Sequence, residues 1–278
     1  MNNKPRMNTL KNYIKDYIFE SVWDIEDNVE SNNKEFVLNE IKKFIEDNYR
    51  YIYIKDCEIV FDEKKDKYVV NYGQHAYLNS DSKQLTNGLF EWGVVGGFFN
   101  CANCPELESL EGAPKKVGKG FNCANCPELE SLQGAPEEVK GDFNCSSCPI
   151  TSLKGAPKKV GREFSCCNCQ NLESLKGAPE KVGGMFRCPY CIKLKTLKGA
   201  PKKVNGDFNC ANCPELESLE GAPYYVKWYF YCENCTKLKT LKGAPEYVGA
   251  DFYCSECPNL HSLDGIGEVG GEIFSDME

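Results

Sequence analysis

One stretch of the chain decides the fold: from Phe121 to Asp142 it reads FNCANCPELESLQGAPEEVKGD, and this pattern returns in seven further copies. Each copy begins with a phenylalanine, and successive phenylalanines are separated by 22 residues, with a single step of 21. They are Phe99, Phe121, Phe143, Phe164, Phe186, Phe208, Phe230 and Phe252. Self-similarity at a fixed period predicts a solenoid, in which each repeat packs on its neighbours.

Imperfect copies show where the repeat tolerates change. The third copy lacks one residue between Cys148 and Leu153, a loss that a turn can absorb and a packed strand cannot. A degenerate copy without cysteines precedes the series, and the last copy has lost its Ala-Pro step, as expected where a solenoid meets water. We therefore divide the chain into residues 1–84, an α+β cap or adaptor, residues 85–98, a degenerate first repeat, and residues 99–278, the solenoid.

Within a copy, Phe-x-Cys alternates with period two, which predicts a short strand with Phe and the first Cys on its inner side. Two leucines, such as Leu107 and Leu110, follow on the returning arc and are also expected to face inward. Gly-Ala-Pro then prevents a regular strand or helix, because proline fixes φ and has no N–H donor. The pattern predicts one strand per coil and an outer arc that is irregular, extended or 3₁₀-helical.

The region before the repeat has a different pattern. Asn8 is a candidate N-cap for a first helix, whose apolar positions run from Leu10 to Val22 at helical spacing. A second helix is predicted from about Asn33 to Asn48, with Phe36, Val37, Ile41, Phe44 and Ile45 facing inward. Short strands are predicted at residues 51–54, 58–61, 68–72 and 76–78, with a charged turn at 62–66. We interpret this region as an α+β cap over the first solenoid edge, the alternative being an adaptor that docks to another protein.

The repeat resembles the leucine-rich repeat, whose framework places two apolar strand residues before a position held by Asn or Cys. Phe121 and Cys123 match the strand positions, and Cys126 matches the Asn/Cys position. Leu129 and Leu132 match later apolar positions, although two extra residues and the Gly-Ala-Pro arc depart from the framework. The Leu-x-Ser-Leu-x-Gly-Ala-Pro motif resembles divergent repeats of uncharacterised bacteriophage and bacterial proteins. This resemblance implies a leucine-rich-repeat-like parallel β-solenoid of about eight 22-residue coils, and a bacteriophage origin would place it in a host cell or a virion.

Composition excludes several classes of function. The 278 residues carry 33 Lys and Arg against 41 Asp and Glu, and the net charge of −8 disfavours nucleic-acid binding. The two histidines, His75 and His261, leave little scope for His-dependent catalysis, so we predict no enzyme and no catalytic residues. Apolar runs of a few residues predict no membrane segment, and Met1–Lys11 lacks the apolar core of a secretory signal. We expect a cytoplasmic protein.

The cysteines allow four interpretations. Sixteen of the 18 form eight C-x-x-C pairs, and Cys57 and Cys167 stand outside the series. Successive pairs have the spacing of a four-cysteine zinc site. Stacked strands, however, would hold equivalent sulfurs about 4.8 Å apart, whereas sulfurs around a tetrahedral zinc, with Zn–S bonds of about 2.3 Å, lie about 3.8 Å apart. Dithiol catalysis is disfavoured because each pair follows a strand and leads into a turn, with no helix N-terminus to lower the thiol pKa. Disulfides are disfavoured because we expect a reducing compartment. We favour buried free thiols, the second of each pair donating weakly to turn carbonyls, with no metal and no cofactor.

One outward surface departs from the repeat. The middle residue of Phe-x-Cys points away from the core, in a row formed by Asn100, Asn122, Asn144, Ser165, Arg187, Asn209, Tyr231 and Tyr253. Further aromatic residues replace the Lys or Glu of other copies near its end. The candidate binding surface consists of Tyr224, Tyr225, Trp228, Tyr229, Tyr231, Tyr247 and Tyr253. The alternative is local repacking or capping, since single exposed aromatic residues are ordinary.

These observations predict a non-enzymatic protein-binding or scaffold repeat protein with a protein partner, no nucleic-acid or membrane partner, and an oligomeric state left open. The second hypothesis is a metal-binding thiolate repeat protein, loaded with zinc or iron. The third is an enzyme in the N-terminal region, where we find no recognisable set of nucleophile and base. Elemental analysis of protein purified without chelator separates the first hypothesis from the second.

Overall fold

A helix leads into the repeat in the computed structural model, which describes residues 29–277 and the side chains of residues 34–277. Helix α1, Val29–Asn48, buries Val37, Ile41 and Ile45, which lie four residues apart on one side. The prediction that Phe36 faces inward is wrong, because its side chain is 42% exposed, one residue out of step with the buried row. The predicted first helix, residues 8–22, lies outside the described residues.

Three of the four strands predicted before the repeat are present. The chain forms β1 (Tyr49–Arg50), a 3₁₀ helix (Ile54–Asp56), β2 (Cys57–Asp62), β3 (Lys67–Tyr72) and β4 (Ala76–Leu78). The strand predicted at residues 51–54 is wrong, because Tyr51 has a left-handed φ of 62° and turns the chain into the 3₁₀ helix. The predicted turn at 62–66 joins β2 to β3.

Each coil of the repeat contributes two short strands, one to each of two 11-stranded sheets. The Phe sheet contains β1, β4, β6 (Phe98–Asn100), β8 (Gly120–Asn122), β10 (Asp142–Asn144), β12 (Phe164–Ser165), β14 (Phe186–Arg187), β16 (Phe208–Asn209), β18 (Phe230–Tyr231), β20 (Phe252–Tyr253) and β22 (Ile273–Phe274). The Val sheet contains β2, β3, β5 (Phe90–Val95), β7 (Lys116–Val117), β9 (Glu138–Val139), β11 (Lys159–Val160), β13 (Lys181–Val182), β15 (Lys203–Val204), β17 (Tyr225–Val226), β19 (Tyr247–Val248) and β21 (Glu268–Val269).

The second strand of each coil corrects the expectation of one strand per coil and agrees with the extended form among those predicted for the outer arc. Two residues are too few for local propensity to set a strand, and hydrogen bonds to the neighbouring coils hold it instead. The N–H of Lys140, for example, donates to the carbonyl of Val117 at 3.0 Å. Gly-Ala-Pro lies in the turn before this strand, in agreement with the conformational limits of proline.

Neighbouring coils pair in parallel with like residues opposite one another, as Phe121 lies between Phe99 and Phe143. The repeat phenylalanines therefore form a buried column, with ring centroids 4.9–5.5 Å apart and ring planes within 17° of parallel. The short third copy keeps this register, since Phe143 lies opposite Phe164. Each fully buried Phe contributes about 1.5–3 kcal/mol from burial, so the column is a large part of the core.

The turns explain two small residues of the repeat. Asn125, just before the second cysteine of its pair, has a φ of 57°, and asparagine tolerates this left-handed conformation better than most residues. Gly134 has a φ of 88°, and a Cβ there would lie 2.6 Å from the carbonyl oxygen of Leu110 in the preceding coil. Only glycine satisfies both demands, so the Gly of Gly-Ala-Pro sets how closely the coils approach.

The N-terminal strands extend the same two sheets. Strand β4 pairs in parallel with β6, and β3 pairs in parallel with β5. The outermost strands are antiparallel to their neighbours: β1 pairs with β4, and β2 pairs with β3. The described chain is thus an α+β cap followed by a parallel β-solenoid of about nine coils, which confirms the predicted fold class. Both sheets run across the predicted division at residue 84, which itself stays a prediction. In residues 29–277 the structure has no helix long and apolar enough to cross a membrane.

Candidate functional site

Both cysteines of every pair lie in the core, as predicted, and their thiols connect neighbouring coils. The second thiol of a pair donates to the carbonyl of the first cysteine in the preceding coil, as Cys126 Sγ does to Cys101 at 3.2 Å. Second cysteines from Cys148 to Cys257 repeat this contact at 3.1–3.4 Å. The predicted donation to carbonyls is confirmed, and it satisfies oxygens that the coil buries away from water.

The first thiol of a pair donates in the opposite direction, toward the following coil. Cys123 Sγ lies 3.5 Å from the carbonyl oxygen of Asn144, and four other first cysteines make the same contact at 3.3–3.4 Å. Burial raises the pKa of Cys148 and of Cys235 to about 12. These thiols are protonated at neutral pH, which makes them poor nucleophiles.

The spacing of the sulfurs does not gather ligands around a common centre. Among the residues that the structure describes, no group of three or more His, Cys, Asp or Glu side chains is arranged to hold a metal ion. Cys57 and Cys167, outside the pairs, are half-buried, and burial raises the pKa of the Cys57 thiol to about 11. In the described residues the cysteines thus contribute packing and weak hydrogen bonds to the coil.

The outward side of the Phe sheet, which we call the strand face, carries the row of middle residues predicted from the sequence. At its N-terminal end, the Oδ1 atoms of Asn100, Asn122 and Asn144 accept hydrogen bonds from the backbone N–H two residues later, at 2.9–3.0 Å. Each Oδ1 is thereby occupied, and the Nδ2 groups have no hydrogen-bond partner within residues 34–277. The row presents amide donors to solvent.

At the other end of the strand face the row becomes aromatic. Tyr231 stacks on Tyr253 with ring centroids 4.8 Å apart, and Tyr253 stacks on Phe274 at 4.6 Å. Tyr229 lies beside this stack, 6.0 Å from Tyr231 and 6.4 Å from Tyr253. We call these four residues the aromatic end; Tyr229 and Phe274 are 37% and 39% exposed.

The structure divides the seven aromatic residues of the predicted surface among the Phe sheet, the Val sheet and the flanking turns. Tyr229, Tyr231 and Tyr253 come together at the aromatic end. Tyr225 and Tyr247 stack 5.2 Å apart on the Val sheet. The remaining two are exposed in the flanking turns: Tyr224 precedes Tyr225 and lies under Lys203 Nζ at 5.3 Å, and Trp228 lies between β17 and β18.

Carboxylates surround the aromatic end. Asp207 Oδ1 accepts the backbone N–H of Tyr229 at 3.2 Å, and Asp251 Oδ2 accepts the hydroxyl of Tyr253 at 3.1 Å. Glu233 is half-buried, and its Oε2 has no hydrogen-bond partner among the described residues. Burial raises the pKa of Glu233, of Asp207 and, to about 12, of Tyr231. The surface thus combines apolar rings with neighbouring carboxylates.

Sequence reasoning missed a second feature, a notch at the N-terminal end of the strand face. Its cavity of about 380 Å³ is lined by Tyr77, Phe98, Phe99, Asn100, Gly120, Phe121, Asn122, Asp142 and Asn144. The Phe98 ring, 40% exposed, stacks on His75 at 5.2 Å and 14°. A signal exists in the sequence: the residue before each repeat phenylalanine is Phe98, Gly120 and then Asp142, so a glycine interrupts a row of side chains.

Comparisons with known proteins add no relative. No family model matches the chain, and neither the curated proteins nor the solved structures give a significant match.

Proposed function

We propose that the protein is a non-enzymatic binding or scaffold protein, and that a protein partner contacts its aromatic end. One observation carries this proposal: Tyr231 and Tyr253 occupy positions that hold Asn, Ser or Arg in earlier coils above the same buried core. Packing of the coil therefore does not require aromatic residues there. Tyr231 and Tyr253 are half-buried and stack on each other, and tyrosine at an outward position of this kind is typical of a contact residue in a protein interface.

The chemistry of the aromatic end describes the surface that would cover it. Apolar groups of a partner would bury the exposed parts of Tyr229 and Phe274, which desolvates little polar surface. The carboxylates of Asp207, Asp251 and Glu233 beside the rings favour an N–H or cationic donor on the partner. We therefore expect a partner surface that combines apolar side chains with donors such as Arg or Lys.

The finer classification of the coil belongs to the same proposal. The second cysteine, at the position where leucine-rich repeats carry Asn or Cys, donates to backbone carbonyls, as the amide of such a repeat would. This contact supports a divergent leucine-rich-repeat type. A bacteriophage origin rests on the resemblance of the Leu-x-Ser-Leu-x-Gly-Ala-Pro motif, and a cytoplasmic location is supported by the 18 free cysteines, which suit a reducing compartment.

The alternative of a metal-binding thiolate protein requires a different interior. The buried thiols would have to ionise against the burial that raises their pKa, and would have to leave their carbonyl acceptors. Elemental analysis after purification without chelator is expected to give less than one zinc or iron ion per chain. Several ions per chain would favour the alternative.

Photo-crosslinking tests the binding surface directly. A photoreactive phenylalanine analogue in place of Tyr229 is expected to capture a defined protein from an extract of the source cells. The same analogue in place of Tyr225, on the Val sheet, is the matched control and should not capture that protein.

The captured protein then allows a quantitative comparison. Replacing the aromatic end with Tyr229→Ser, Tyr231→Ser and Tyr253→Ser should weaken its binding at least about a hundredfold, since each buried tyrosine contributes ~1–2 kcal/mol or more. The control is Tyr224→Ser, Tyr225→Ser and Tyr247→Ser, which removes three tyrosines from the other surface. Equal binding by the two triple variants would contradict the proposal.

A further inference from the structure

The notch contains an aromatic ring with one unstacked face. His75 covers one side of Phe98, and on the other side no aromatic ring stacks on it within residues 34–277. Gly120 follows Phe98 in this row, and a Cβ at Gly120 would lie 2.8 Å from Cδ1 and Cε1 of the ring. The Phe98 ring therefore lies directly against Gly120 and uses the room of the missing side chain. The cavity is lined by this ring, by Gly120 and, in the next coil, by Asp142.

The polar groups of the notch need both donors and acceptors from a ligand. Asn100, Asn122 and Asn144 present Nδ2 donors, because their Oδ1 atoms are already bonded to backbone N–H groups. Asp142 presents acceptors: its Oδ1 takes the backbone N–H of Glu163 at 3.1 Å, and Oδ2 is the second oxygen. Arg162 Nε lies 3.5 Å from the same Oδ1, which moderates the negative charge.

These requirements disfavour simple charged ligands. A carboxylate or phosphate supplies only acceptors and would be repelled by Asp142 and by a chain of net charge −8. A guanidinium or ammonium group supplies only donors and would leave the three Nδ2 groups without acceptors. A ligand that donates and accepts at neighbouring atoms, and has a flat apolar side for Phe98, meets every requirement.

We propose that this notch binds a sugar residue of a neutral saccharide. Hydroxyl groups both donate and accept, so they can pair with Asp142 and with the amides of Asn122 and its neighbours. The C–H face of a pyranose ring is apolar and weakly positive, which suits the negative face of the Phe98 ring. A cavity of about 380 Å³ lies at the small end of ligand pockets, which span roughly 300–1,000 Å³.

The notch is independent of the proposed protein-binding surface. Six coil steps separate Phe98 from Tyr229, which corresponds to about 29 Å at ~4.8 Å per strand. The inference therefore goes beyond the proposed function, and either can fail without the other.

Saturation-transfer NMR on the full-length protein tests the site with a panel of neutral mono- and disaccharides, including glucose, galactose, mannose, N-acetylglucosamine, maltose and cellobiose. At least one sugar is expected to show saturation transfer at millimolar concentration. Adenosine and short Arg-rich or Glu-rich peptides serve as competing probes. Binding of one of these in preference to every sugar, or no sugar binding, would overturn the proposal.

Two substitutions place the signal in the notch. Asn122→Asp keeps the Oδ acceptor of the turn but removes the Nδ2 donors, and Phe98→Ala removes the exposed ring. Each is expected to weaken sugar binding at least about tenfold, the equivalent of one lost favourable contact. Asn209→Asp is the matched control, because Asn209 makes the same turn contact at 3.0 Å outside the notch. Sugar binding that survives both notch substitutions would show that the site is elsewhere.

Discussion

The two ends of the strand face use aromatic residues in opposite ways. At the C-terminal end Tyr231, Tyr253 and Phe274 stack on one another, so each inner ring face is covered by the next ring. At the N-terminal end Gly120 interrupts the row of residues before the repeat phenylalanines, and among the described residues the ring of Phe98 has no aromatic neighbour on that side. The C-terminal end presents ring edges and hydroxyl groups to a broad partner surface, whereas the N-terminal end presents the single ring of Phe98 in a small cavity.

The difference arises from two outward positions per coil above an unchanged interior: the residue before the repeat phenylalanine at the notch, and the residue after it in the aromatic stack. Phe121 beneath the notch and Phe230 beneath the aromatic end belong to the same buried column, and both are at most 1% exposed. The backbone spacing is fixed by that column and by the parallel register of both sheets. A solenoid can therefore change the chemistry of a surface coil by coil, since outward side chains do not alter the packing below.

The largest expected effect disrupts both ends together, because high pH favours unfolding of the interior that they share. The pKa of Cys148 and of Cys235 is raised to about 12 in the fold, against about 8.5 for an unfolded cysteine. Above pH 8.5 the unfolded chain loses protons that the folded chain keeps, so the free energy of unfolding falls by ~1.4 kcal/mol per pH unit for each such thiol. Urea unfolding between pH 7 and 10.5 should show a steep loss above pH 9. A flat profile would show that the thiols are not buried.

A smaller effect separates the interior from the surface of one strand. Phe230→Ala opens a cavity in the buried column and is expected to cost about 3–5 kcal/mol in the free energy of unfolding. Tyr231→Ala, the next residue, removes only an outward ring and its stack on Tyr253, for about 0.5–1.5 kcal/mol. Chemical denaturation followed by circular dichroism measures both. Equal losses in the two variants would mean that the outward ring is part of the core.

The smallest effect changes the notch without touching the aromatic end. A Cβ at Gly120 would lie 2.8 Å from the Phe98 ring, so Gly120→Ser must displace this ring and thereby alter the wall of the notch. Sugar binding should fall at least about tenfold, while crosslinking from position 229 stays unchanged. Met185→Ser, in the same row of the strand face outside the notch, is the control and should change neither. Loss of both activities in Gly120→Ser would indicate a wider disturbance of the fold.

The sequence predicted the features that recur in every coil. Repetition of Phe, Cys and Leu at a fixed period settled the stacking, the inward thiols and the register, because like residues must meet when coils stack. The shortened third copy keeps the register, since Phe143 still lies opposite Phe164. These predictions rest on many copies of one pattern, so errors in a single copy have little influence.

Features formed by one residue, or by contact between coils, were not predictable in the same way. The second sheet consists of two-residue strands such as Lys181–Val182, which no local pattern distinguishes from a loop. Tyr225 and Tyr229 are four residues apart, yet the turn between β17 and β18 places them on different sheets. Gly120 looks like one of many turn glycines, and only its position between Phe98 and Asp142 makes a cavity.

The central claim is that in-register coils bury sixteen thiols and that the protein partner and the sugar bind on the strand face. Labelling of the native protein with iodoacetamide at pH 7.5, followed by peptide mass spectrometry, tests it most directly. The half-buried Cys57 and Cys167 should react first, and the cysteines of the pairs should react only after denaturation. Rapid labelling of the paired cysteines in the folded protein, or metal released during their labelling, would contradict the account.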